Sequence, residues 1–214
     1  MKYKFFNENN KKLIIFFNGW GMDEIIISHL DRENFDLLVF YDYRDLELDT
    51  SVFDLEKYFE KHIIAWSMGV MVSTLFDFEN INSRTAINGT IKAIDDNYGI
   101  PLKIYDLTIK GFSEFSIRKF MKRMFDEKPP IDNSSNRDLD SQKEELIKLM
   151  EVNQEVNQGI NDVASKERKF DRVLVSDTDN IIPTKNQLNY WHNPEIIKGG
   201  HCPFFKYKSW KELL

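Results

Sequence analysis

The stretch H-I-I-A-W-S-M-G-V (62–70) opens as a buried strand, turns at Ser67 and continues into an apolar, helix-like run over 68–78. A serine between a strand and a helix, with small residues two positions to either side (Ala65 and Gly69), fits a nucleophile elbow. There a tight, strained turn lifts the hydroxyl above the carboxyl edge of a parallel sheet. Only small side chains fit at the flanking positions, because strand and helix pass close together. The usual pattern has Gly at the first of them, where this chain has Ala65. Taken alone, the motif also fits a strand followed by a helix that Ser67 merely caps. The surrounding chain has to decide.

To the N-terminal side, L-I-I-F-F (13–17) and L-L-V-F-Y (37–41) are continuous apolar runs. Such runs suit strands buried on both faces, as in parallel sheets. The first ends in N-G-W-G (18–21), and Asp23 is placed to cap a helix over E-I-I-I-S-H-L. An amphipathic helix opened by Ser51 or Asp54 is expected to run to Phe59. To the C-terminal side, R-T-A-I-N (84–88) predicts a fourth strand, R-V-L-V-S (172–176) a fifth and the segment 195–198 a short last one. Helices are expected over 184–191 and 208–214. Strand alternating with helix predicts a mostly parallel central sheet with helices on both faces. Ligands in such sheets bind at the carboxyl ends of the strands, where both N-G-W-G and Ser67 fall.

The alternation breaks after Asn88. An irregular loop over 91–101 leads into a charged, Met- and Phe-rich segment without strand signals. Helices are predicted over 114–125 and 139–157, separated by a break that contains Pro129 and Pro130. Residues 1–101 and 171–214 thus form an α/β core, and 102–170 are expected to be a helical lid inserted into it.

Bulk properties narrow the class. A chain of 214 residues suits one domain with a small insertion. A net charge of −6 argues against wrapping nucleic acid. One cysteine, Cys202, permits no internal disulfide, which suits a reducing compartment. The opening MKYKFFNENNKK lacks the apolar core of a signal peptide. No apolar run is long enough to span a bilayer. The expectation is a cytoplasmic monomer with no membrane partner.

A serine hydroxyl needs a histidine to take its proton and a carboxylate to orient that histidine. Of four histidines, His62 starts the elbow strand at its far end, His29 belongs to the first helical segment and His192 precedes the last strand. His201 alone follows a strand in a glycine-rich loop at the required edge. It is also last in chain order, as in α/β-hydrolases, where serine, acid and histidine follow one another. The acid belongs in the loop after the strand 172–176. Asp177 and Asp179 both meet that position, and Asp179 is preferred because it precedes N-I-I-P. Asp95 and Asp96 are less favoured alternatives. The oxyanion of acyl transfer needs N–H donors already in place. Met68, after the nucleophile, and Trp20 in N-G-W-G are the expected sources, with Gly19 and Gly21 allowing close approach. This chemistry calls for no metal and no cofactor.

Assembled in this way, F-F-N-G-W-G-M (16–22), A-W-S-M-G-V (65–70), I-N-G-T-I-K-A-I-D-D-N-Y-G-I-P (87–101), D-N-I-I-P (179–183) and G-G-H-C-P-F-F (199–205) resemble a known family. It is the BioG type of pimeloyl-acyl-carrier-protein methyl ester esterases of biotin synthesis, with BioH-type enzymes more distant. The resemblance implies an α/β-hydrolase with Ser67 as nucleophile, His201 as base, Asp179 as acid, and the N–H groups of Trp20 and Met68 as oxyanion hole. It implies removal of a methyl group that masks the free end of a carrier-bound seven-carbon diacid. The chain departs from common hydrolase patterns at Ala65 and at Asn18, where many have His.

An acyl carrier protein is acidic, so a net-negative enzyme needs a local basic patch to dock one. I-R-K-F-M-K-R-M-F (117–125) supplies Arg118, Lys119, Lys122 and Arg123, two pairs of i, i+4 neighbours on one broad face. Lys166, Arg168 and Lys169 form a second basic cluster.

Overall fold

The chain alternates buried apolar strands with helical connections, and its strands join in a single sheet. The computed structural model describes residues 1–125, 135–158 and 170–214. The strands are β1 (Lys2–Phe6), β2 (Lys12–Phe17), β3 (Phe35–Tyr41), β4 (Glu60–Trp66), β5 (Ser83–Ile87), β6 (Arg172–Ser176) and β7 (Glu195–Ile197). Their order is β1-β3-β2-β4-β5-β6-β7. Only the pairing of β1 with β3 is antiparallel. Alternate residues of β2 serve opposite faces. Leu13, Ile15 and Phe17 join one apolar cluster, and Ile14 and Phe16 join the other. This two-sided burial is why the strand is a continuous apolar run.

Strand β1 was not expected. Its burial is low along most of its length, so K-Y-K-F-F lacks the apolar run by which the inner strands announce themselves. It attaches to the sheet edge through register pairs such as Lys4 with Val39.

Five α-helices are described: α1 (Met68–Ser73), α2 (Leu102–Lys110), α3 (Glu114–Met124), α4 (Leu139–Asn157) and α5 (Thr184–Tyr190). Helix α1 is shorter than the sequence suggests. The Ser73 and Thr74 hydroxyls donate back to the Val70 and Met71 carbonyls at 2.9 and 2.7 Å, and the chain tightens into i→i−3 turns at Thr74 and Leu75. Three other expected helices are short 3-10 segments. Asp23 does accept from the Ile25 N–H at 3.0 Å, but the helix it caps covers only Glu24–Ile27. The helix expected to reach Phe59 is split into Thr50–Phe53 and Leu55–Lys57 by Asp54, whose φ of 43° is left-handed. The last covers Trp210–Leu213.

Helices α2, α3 and α4 lie between β5 and β6 in the chain, and their apolar residues share the sheet's core. Tyr105 of α2 and Leu146, Leu149 and Val152 of α4 are buried with Trp20 and Met68. The Tyr105 hydroxyl donates to the Leu146 carbonyl at 2.9 Å. No helix among the described residues is long and apolar enough to cross a membrane.

Candidate active site

Strand β4 delivers Ser67 to the carboxyl edge of the sheet. Ser67 has φ 57° and ψ −126°, a strained conformation for a residue with a side chain. The strain is held by close packing on both sides. A Cβ on Gly69 would lie 2.3 Å from the Phe17 carbonyl oxygen, and one on Gly89 would lie 2.4 Å from the Ser67 carbonyl oxygen. Those two positions must be glycine. Ala65, by contrast, fits within the strand. It is fully buried between Phe17 of β2 and Ala86 of β5, so the missing elbow glycine leaves the turn intact.

His201 sits in the loop after β7. Its Nε2 lies 2.8 Å from Ser67 Oγ, and its Nδ1 lies 2.8 Å from Asp179 Oδ2. All three side chains are buried. Asp179 Oδ1 accepts from the Ile181 and Ile182 N–H groups at 2.8 and 3.0 Å, and Oδ2 also accepts from Gln187 Nε2 at 2.8 Å. Four donors therefore fix the carboxylate in the plane that faces the imidazole. Asp177 points elsewhere. It pairs with exposed Lys198 at 2.8 Å and accepts from the Gly199 N–H at 2.9 Å, and these donors lower its pKa. Asp95 and Asp96 bond within their own loop and to the start of α2.

The backbone of His201 is held separately. Its carbonyl accepts from Trp66 Nε1 at 2.8 Å and from Asn88 Nδ2 at 2.9 Å. Asn88, buried at the end of β5 with φ 46°, also accepts from the Ser176 N–H at 2.7 Å. It thereby ties the ends of β5 and β6 to the histidine loop. Cys202, next in sequence, is buried, and burial pushes its thiol well above the ordinary value. His29 stacks on Phe205, and His62 lies between Ser83 and Glu60.

In the N-G-W-G loop, Asn18 Oδ1 accepts from the Gly19 N–H at 2.8 Å and Glu145 Oε2 from the Gly21 N–H at 3.0 Å. The N–H of Trp20 lies between them and donates to no acceptor among the described residues, nor does that of Met68. Asn18 is therefore more than a substitute for histidine. Its amide also donates to the Asp23 carbonyl at 2.8 Å and fixes the loop from inside.

A solvent-open cleft with a cavity volume of about 50 Å³ is lined by Ser67 and His201. Its walls are largely apolar, with Ile104, Phe120, Met124 and Ile181 among them, and Arg123 is the cation that lines it. An adjoining groove between α2 and α3 is lined by Trp20, Phe120, Lys119, Lys122 and Arg123. Arg118 is exposed and paired with Glu114, and Lys119 lies 4.4 Å from the centre of the Phe115 ring. Thus Lys119, Lys122 and Arg123 border the groove, while Arg118 does not line it. Lys166, Arg168 and Lys169 lie outside the described residues. A serine, imidazole and carboxylate in line beneath an apolar cleft, beside unpaired N–H groups, can carry out acyl transfer.

Sequence reasoning missed Gln187, Asn88, Trp66 and Glu145 as contributors. Asn88 alone left a signal, as the residue that ends a strand ahead of a glycine.

Known proteins share this fold. The family model described as pimeloyl-ACP methyl esterase BioG matches residues 1–213. The crystal structure of BioG from Haemophilus influenzae is similar, with a TM-score of 0.84 and 33% identity, covering 100% of this chain and 99% of that one. The malonyl-[acyl-carrier protein] O-methyltransferase of Bacteroides fragilis is 31% identical over 188 residues, which are 85% of this chain but 36% of that protein. An α/β hydrolase fold protein from Burkholderia ambifaria has a TM-score of 0.58 at 13% identity, covering 94% of this chain and 88% of its own, a likeness of fold alone. The architecture is that of an α/β-hydrolase.

Proposed function

The chain belongs to the BioG family of pimeloyl-ACP methyl esterases, and on that premise we propose that it is a serine carboxylesterase that demethylates the pimeloyl-carrier methyl ester in biotin synthesis. The observation that carries the proposal is the contact of His201 Nε2 with Ser67 Oγ at 2.8 Å at the base of the cleft. Ser67 Oγ attacks the ester carbonyl carbon while His201 Nε2 takes the hydroxyl proton. The oxyanion is received by the N–H groups of Trp20 and Met68. On collapse, the bond to the methoxy oxygen breaks, and His201 returns the proton so that methanol departs. Water then attacks the acyl-enzyme, His201 again acting as base, and the free acid leaves with Ser67 restored. Asp179 holds the imidazole tautomer and stabilises the imidazolium.

The B. fragilis relative adds a consideration. A methyltransferase that acts on malonyl-[acyl-carrier protein] makes a methyl ester, and an esterase is the reaction that removes one. Most of that protein lies outside the match, so its name need not describe the matched part. In this reading the basic residues of α3, Arg118, Lys119, Lys122 and Arg123, face the acidic carrier. The apolar cleft accepts the alkyl chain, with the ester at Ser67 and the thioester towards the groove.

The test has two parts. A fluorophosphonate should label the wild type and not Ser67→Ala. Among carrier-bound and free methyl esters and thioesters, the carrier-bound methyl ester should be the preferred substrate. Preference for a thioester would keep the hydrolase and replace the substrate. Absence of labelling would leave a catalytically silent fold.

A further inference from the structure

The oxyanion loop is gripped from a distant part of the chain. Glu145 and Gln142 lie three residues apart on one face of α4, a helix within the segment expected to be a lid. Gln142 Nε2 donates to the Gly21 carbonyl at 3.1 Å, and the Gln142 backbone carbonyl accepts from Trp20 Nε1 at 2.8 Å. Glu145, fully buried, accepts from the Gly21 N–H with one oxygen and from the Tyr43 N–H with the other, at 3.0 and 2.9 Å. The Tyr43 hydroxyl donates to the Asn18 carbonyl at 2.8 Å, closing the ring of contacts around the loop. Arg137 pairs with Glu145 and, at 3.1 Å, with Asp42.

We propose that Glu145, supported by Gln142, is a positioning residue that aims the Trp20 N–H, which makes α4 a fixed wall of the oxyanion hole rather than a moving part of a lid. The proposal rests on the reading of Trp20 as an oxyanion donor. Two amide donors, one after β2 and one after β3, converge on a single side chain. Only a carboxylate offers an acceptor oxygen to each. Apolar packing would secure the helix without burying a charge, so a buried, paired carboxylate here points to a demand for placement. The Gly19 and Gly21 N–H groups are both engaged, so the peptide that carries the Trp20 N–H is fixed from either side.

The experiment compares the wild type, Glu145→Gln and Asn153→Ala on a small soluble methyl ester. Asn153 is on the same helix and just as buried, but it bonds the backbone of Ile94, at 3.0 and 2.9 Å, instead of the oxyanion loop. The probes are an alkyl trifluoromethyl ketone and the matching carboxylic acid. Ser67 Oγ adds to the ketone carbonyl carbon, His201 Nε2 takes the serine proton, and the carbonyl π electrons move to the oxygen, which becomes an oxyanion. The acid reports ground-state binding. In Glu145→Gln an amide N–H₂ must face one of the two N–H donors. We expect kcat and ketone affinity to fall together by about 10- to 100-fold, with KM and acid affinity changed by about twofold or less. Asn153→Ala should preserve the ratio of ketone to acid affinity. Equal loss of ketone and acid binding in Glu145→Gln, or an equal change of the ratio in Asn153→Ala, would overturn the proposal. If Glu145→Gln does not fold, Gln142→Ala gives the same reading with the Arg137 pair intact. A wild type that a fluorophosphonate fails to label would count against the esterase reading instead.

Discussion

Trp66 donates its indole N–H to the backbone oxygen of His201 at 2.8 Å, so the residue before the elbow serine holds the histidine that faces it. A Cβ on Gly19 would lie 2.9 Å from the same indole ring. One side chain thus touches the histidine loop and the oxyanion loop at once. Trp66→Phe should keep most of the packing and lose the hydrogen bond, which is worth about 1 kcal/mol. We expect kcat to fall about tenfold or more, because small misplacements at a reacting centre are costly, with KM little changed. Steady-state kinetics on a soluble ester checks this.

The two aspartates of the same loop should separate cleanly. Asp179→Asn presents an amide to an imidazole that needs an acceptor, and it should lower kcat on the order of 10⁴-fold through the wrong tautomer. Asp177→Asn removes only the surface contacts with Lys198 and Gly199 and should retain activity within about threefold, since exposed pairs contribute about 1 kcal/mol or less. Equal losses in the two variants would contradict the assignment.

Carrier recognition predicts a split between substrates. Arg118, Lys119, Lys122 and Arg123 are exposed on α3, in a chain of net charge −6. Replacing Arg118, Lys122 and Arg123 with Glu should raise KM for a carrier-bound ester about tenfold or more and weaken its salt dependence. Arg123 also lines the cleft, so a modest effect on a small ester is expected as well, and the measured quantity is the difference between the two substrates.

Asp42 is predicted to make the fold acid-sensitive. Burial tends to raise its pKa, but hydrogen bonds and charges from Arg44, Arg137 and Lys2 prevail and bring it from 3.8 to about 2. A carboxyl that binds its proton less tightly when folded stabilises the fold above pH 3.8, and that contribution is lost as the pH falls towards 2. The shift corresponds to about 2 kcal/mol. Denaturant titrations should show Asp42→Asn less stable than wild type at pH 7, with the gap narrowing by about that amount between pH 4 and pH 2.

The central strands and the long helices of the insertion are legible in the sequence because their burial is continuous or periodic. Helix α4, over Leu139–Asn157, coincides with its predicted span. Strand β1 is not legible, since a half-exposed antiparallel edge has no apolar run to display. The broken helix before β4 also escapes, because the left-handed Asp54 that divides it leaves no glycine as a mark. At the site, Ser67, Asp179 and His201 can be placed at one edge by counting strands. Gln187 and Glu145 cannot, because no local pattern shows that Glu145 will meet Gly21 across 124 positions.

The most direct measurement is hydrolysis of pimeloyl-carrier methyl ester by the wild type and by Ser67→Ala, with the products resolved by mass. The account predicts loss of one methyl group with the thioester intact, and no such product from the mutant. Failure of the wild type to demethylate the carrier-bound ester, while a fluorophosphonate still labels Ser67, would contradict it and leave a hydrolase with a different substrate.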